Sequence, residues 1–104
     1  MSDEVREKIK SEILEVEWEP LAEHHQREAV VVVSESLNLI DVAEAVIQDD
    51  VDQLKGWLKS VMVYKPAPDQ VTQWSATHQK FLCVIVQPYV LVQIIPNLVT
   101  SSVH

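Results

Sequence analysis

The sequence predicts one small α+β domain: a three- to four-stranded, mainly antiparallel sheet packed with helices on at least one face, in the order ααβααβαββ. Three observations predict it. Four consecutive valines, Val30 to Val33, have the β-branched, unalternating character of a strand buried on both faces. A second apolar, β-branched stretch runs over residues 81–95, and apolar residues recur at helical spacing before and between the two stretches. Helices and strands do not alternate strictly as βαβ units, which favours α+β over a doubly wound sheet. The length of 104 residues suits one domain, and a hydrophobic share of 47% supplies a core without staples. Residues 1–95 are read as that domain and residues 96–104, polar after Pro96, as a flexible C-terminal tail.

In chain order, acids crowd the first turn of a helix predicted over 3–16, where Val5, Ile9, Ile13 and Val16 form a narrow stripe. A short second helix follows from Glu19 or Pro20, since proline suits a first helical position, with Trp18, Leu21 and His25 on one face. After the valine strand and a polar connector, residues 39–48 form a helix that turns Leu39, Ala43, Val46 and Ile47 inward, with Ile40 beside them. Asp50-Val51-Asp52-Gln53 has the form of a capping box and opens a helix through Lys59 whose apolar face is Leu54, Trp57 and Leu58. Residues 61–64 form a short strand broken by Lys65-Pro66-Ala67-Pro68, and the helix from Pro68 presents Val71 and Trp74 together. The closing stretch is either a hairpin or one strand kinked at Gln87-Pro88, a pair that is not a usual two-residue hairpin turn.

Net charge is −8 and unevenly spread. Residues 29–54 carry six acids and no base, whereas residues 55–104 carry four lysines against Asp69 alone. The halves attract each other, within a molecule or between two, but the overall field repels phosphate backbones and argues against nucleic acid. A winged-helix-like reading of 39–59 with the following strands meets the same objection. The N-terminus is polar, and the longest apolar stretch is too short and interrupted to span a bilayer, so no membrane segment is expected. With one cysteine no internal disulfide forms, and a cytoplasmic location is expected.

Candidate chemistry is sparse. His24 and His25, with Glu28, are the most site-like cluster: His24 and Glu28 at i, i+4 on a helix would share a metal or a proton, although adjacent histidines diverge and a third ligand is missing. The plainer reading packs one histidine beside Trp18 and leaves the other in solvent. Asp49, Asp50 and Asp52 lack the glycine and closing glutamate of a calcium loop and suit a helix N-terminus instead. Cys83 lies inside a strand with no base placed against it, and Gly56, the sole glycine, excludes glycine-rich phosphate loops. No cofactor is expected. Trp57 and Trp74 fall on apolar helical faces and are assigned to the core, while Tyr89, beside Pro88 at an expected sheet edge, is placed in an interface with Leu91 and Gln93.

Taken in order, Trp18-x-x-Leu21, the Val30–Val33 strand, Leu37 to Ala43, Asp49-Asp50, Trp57-Leu58, Gln70 to Trp74 and Gln87 to Gln93 make a pattern over about residues 12–95. It resembles a family of short bacterial proteins, domain-of-unknown-function family 2288. The resemblance implies a complete small domain and carries no activity, substrate or catalytic residue. It departs at Glu28 and Ser60, where the family pattern calls for glycine. The reading that follows is a non-enzymatic interaction or regulatory protein that self-associates, most simply as a homodimer, through its C-terminal strand region; the alternative is a small ligand- or metal-binding protein or enzyme using His24, His25 and Glu28.

Overall fold

Valine at four successive positions commits Val30–Val33 to a place with helices on both sides, and the rest of the fold supplies them. The computed structural model describes residues 2–95; the expected tail lies outside the described residues. The elements are α1 (Ser2–Glu12), β1 (Leu14–Glu17), α2 (Trp18–Gln26), β2 (Val30–Val33), α3 (Leu39–Ile47), α4 (Val51–Lys59), β3 (Val63–Tyr64), α5 (Pro68–Thr77), β4 (Lys80–Val86) and β5 (Tyr89–Ile94). They form one mixed five-stranded sheet in the order β1-β4-β5-β2-β3. The α+β class holds, but the sheet is larger than expected and is not mainly a three- or four-stranded antiparallel one. Its central pair, β2 and β5, is parallel, with Val30, Val31 and Val32 opposite Val90, Leu91 and Val92. The other three pairings are antiparallel.

The fifth strand comes from the segment read as the end of the first helix. The stripe Val5, Ile9 and Ile13 does pack on one face of the sheet, but the chain then extends, and Val16 reaches the opposite face. Leu14-Glu15-Val16-Glu17 alternates with period two, and that period prevails because the outer edge of β4 offers a ladder, with Leu14 opposite Cys83 and Val16 opposite Phe81.

Side-chain alternation sorts the core into two layers. Ile9, Leu39, Val42, Val84 and Leu91 pack on the face covered by α1 and α3, with Trp57 of α4 at their margin. Trp18, Leu21, Trp74, Phe81, Val30 and Val92 pack on the face covered by α2 and α5. Trp18, Trp74 and Phe81 form an aromatic triangle with centroids 5.0–5.9 Å apart and Trp74 edge-on to Phe81. β4 and β5 are a hairpin whose two-residue turn is Gln87-Pro88, joined by a cis peptide bond as in type VI turns.

Caps follow the local chemistry. Asn38 accepts from the Ile40 amide at α3 and Asp50 from the Gln53 amide at α4. At the other ends, α2, α3, α4 and α5 each close on a residue with φ near +60°: Glu28, Asp49, Val61 and His78. Val61 is therefore turn, not strand, and β3 is shorter than expected.

Candidate functional site

The predicted site residues come together only in part: His25 and Glu28 border one pocket of about 500 Å³ with Lys65 and Pro66, and His24 is not among its lining residues. α2 ends at Gln26, so Glu28 is not on the helix and its i, i+4 relation to His24 is void. The His25 ring lies 5.6 Å from the Trp18 ring, the His24 Nδ1 meets the Arg27 guanidinium, and Glu28 is exposed, paired with Lys65. Lys65 Nζ also donates to the Glu28 carbonyl at 3.1 Å, fastening the left-handed turn after α2. Among the described residues no three of His, Cys, Asp and Glu stand close enough to share a metal ion. Cys83 is buried in β4, and burial pushes its thiol pKa up, away from nucleophilic character. Asp50 is committed to its helix cap and Asp49 to the left-handed position before it.

The C-terminal strand is not an edge. Both hydrogen-bonding sides of β5 are occupied, by β4 and β2, so no second chain can pair there. Leu91 is fully buried, and Gln93 turns inward. Of the expected interface trio only Tyr89, at the hairpin turn, is exposed. Residues 81–95 lack polar alternation because both of their strands lie inside the sheet and not at its margin.

Two further places could receive a partner, the second of them bordered by Tyr89 and Leu91 of the expected interface. The first is the crevice beyond the C-terminal ends of the parallel strands, where open α/β sheets commonly bind ligands. Here it is plugged: the Gln93 amide reaches up from β5 and donates to the carbonyls of Ser34 and Leu37 in the loop after β2. The second lies at the opposite end. A cleft of about 440 Å³ opens between the sheet and the α3–α4 pair, with Val42 and Val46 on one wall, Leu54 and Leu58 on the other and Val31 and Leu91 as floor. Tyr89, Gln87, Lys65 and Asp49 stand around it.

This cleft exists because α4 is poorly seated. Its sequence is amphipathic, yet the helix has no fully buried residue. Leu54 and Trp57 are half-buried, while Leu58 and Val51 are 57% and 45% exposed. Ile47, at the end of α3, is also exposed, so the apolar character of the cleft continues onto the surface. No sequence pattern marked this, because an i, i+3, i+7 stripe reads as core whether or not anything covers it.

A protein family matches residues 4–94 of the chain, nearly its full length; it is described as "Protein of unknown function (DUF2288)". The chain belongs to this family. No curated protein matches it. Among solved structures it is similar to the NMR solution structure of PA1075 from Pseudomonas aeruginosa, at 25% identity and a TM-score of 0.78, over 96% of this chain and 91% of that one. The family and that relative supply a shared fold and no assigned activity. No helix among the described residues is long and apolar enough to cross a membrane.

Proposed function

We propose that the chain is a non-enzymatic protein-interaction domain whose working surface is the α3–α4 end of the cleft. The observation that carries this reading is α4 itself: an amphipathic helix with no buried residue, whose Val51 and Leu58 are exposed close to exposed Ile47 at the end of α3. Scattered exposed aliphatics are ordinary, but apolar residues grouped on adjoining helices around an apolar cleft mark a contact surface. A small-molecule site would enclose most of its ligand. Here the apolar wall runs out onto the surface through Leu58, which suits a protein face. The surface proposed here is centred on α4, with Tyr89 of the C-terminal strand region at its rim.

Site-specific photocrosslinking in cells tests it. A benzophenone-bearing residue in place of Leu58 should give a discrete protein adduct, while the same residue in place of exposed Thr72, on α5 across the sheet, should not. No adduct at Leu58, or equal labelling at both positions, would retire the reading.

A further inference from the structure

We infer that the partner of the α4 surface is a second copy of this chain, packed about a two-fold axis with the two α4 helices antiparallel. The inference rests on the interaction reading above and adds the identity of the partner. It is carried by the distribution of charge along one exposed helix. Asp49, Asp50 and Asp52 gather at the N-terminal end of α4, all exposed, and Lys55 and Lys59 follow toward its C-terminal end. The apolar stripe Val51, Leu54, Leu58 runs alongside at i, i+3 and i+7, on the same stretch of helix.

A helix that is acidic at one end and basic at the other, with an apolar stripe alongside, is complementary to itself when rotated by half a turn. An isologous contact requires that property, because each patch must meet its own image. With the axis near Lys55, the antiparallel arrangement sets Asp52 beside Lys59 of the second copy and Val51 beside Leu58 of the second copy. Each interaction occurs twice. It also brings the two Lys55 side chains together, a like-charge contact that the two Asp52–Lys59 pairs and the apolar stripe must outweigh. The helix dipoles also run in opposite senses, so the positive end of one α4 lies by the negative end of the other. A uniformly basic partner would meet the acidic end but be repelled by Lys55 and Lys59, and an acidic one the reverse.

Area sets the extent of the contact. A stable interface buries roughly 800 Å² per partner, on the order of a tenth of the 6922 Å² that the chain exposes. One nine-residue helix, about 13.5 Å long, cannot supply that alone. The end of α3 at Ile47 and the cleft rim at Tyr89, both apolar and exposed, extend it. Closure of the cleft by the second copy gives Leu54 and Leu58 the burial that the single chain denies them.

Sedimentation equilibrium of the full chain, at concentrations from micromolar to millimolar and at low and high salt, tests the inference. The expected result is a monomer–dimer equilibrium that weakens as salt rises. Leu58→Asp should remove the dimer while circular dichroism stays native, since Leu58 is largely exposed. Asp52→Lys or Lys59→Asp alone turns two attractive pairs repulsive and should weaken dimerisation about tenfold. The double variant D52K/K59D restores opposite charges across the axis and should recover it. A monomer at every concentration, or a dimer that Leu58→Asp leaves intact, overturns the inference, as does failure of the double variant to rescue. The photocrosslink separates this from the parent reading: an adduct at twice the chain mass supports both, and an adduct of any other mass supports the interaction surface while sinking self-association.

Discussion

The side-chain amide of Gln93 donates to the Leu37 carbonyl at 2.7 Å, and its second N–H goes to the Ser34 carbonyl at 2.9 Å. One side chain from the central strand thus holds both ends of the turn between β2 and α3, a turn closed by the Leu37 amide donating to Ser34. Gln93→Leu has comparable bulk but leaves two partly buried carbonyls without this donor. Unfolding in urea should show a loss of about 1–3 kcal/mol. Gln93→Glu should be worse, because a carboxylate would face two acceptor oxygens. A neutral effect in both variants would mean that water replaces the amide freely.

The chain's glycine is in the wrong place for stability. Gly56 lies mid-helix in α4 with nothing within 4 Å of where a Cβ would sit, so Gly56→Ala should stabilise by about 0.5–1 kcal/mol. Val61, a β-branched residue, holds φ 59° at the position after the α4 cap and is exposed. Its left-handed backbone costs about 1–2 kcal/mol, part of which glycine would return as unfolded-state entropy. Val61→Gly should therefore gain roughly 0.5–1 kcal/mol net. Thermal melts of the single variants should both shift upward.

Why some elements were legible in the sequence and others were not follows from local sufficiency. Asn38, Asp50 and Pro68 announce helix starts through chemistry confined to one turn, and the valines of β2 can only be strand. The absence of glycine at Glu28 and Ser60 put tight turns there in doubt, yet the structure turns left-handed at Glu28 and, one residue after Ser60, at Val61. β1 was hidden because Ile13 and Val16 satisfy a helical stripe, and only the distant edge of β4 decides for strand. The place of β5 was hidden for the same reason: its parallel pairing with β2 joins residues sixty apart, beyond any local signal. The candidate surface was legible in part, since Leu54 and Leu58 stood out as apolar. That they lacked a cover was not.

Tryptophan content separates the two faces of the sheet. Trp74 is 5% exposed and locked against Trp18 and Phe81, so Trp74→Ala should cost about 3–5 kcal/mol. Trp57, expected to be equivalent, is only half-buried at the margin of the other layer. Its removal should cost roughly half as much. Urea midpoints of the two variants compare them directly, and equal losses would mean that α4 is seated more firmly than described.

Burial raises the Cys83 pKa, which ties stability to pH in one direction. The folded chain keeps a thiol proton that the unfolded chain releases near pH 8.5. The sign is therefore fixed: the contribution is fully present below about pH 8.5 and is lost progressively as pH rises from there toward the higher folded value. The fall in urea midpoint between about pH 7 and about pH 9.5 should be steeper for the native chain than for Cys83→Ala. The two proteins differ in the thiol alone, so the difference in slope isolates it. Native Cys83 should also react slowly with disulfide reagents, at a rate set by opening of the β1–β4 edge, because Leu14 is its cross-strand neighbour. Equal slopes together with rapid labelling would show that solvent reaches the sulfur in the folded state.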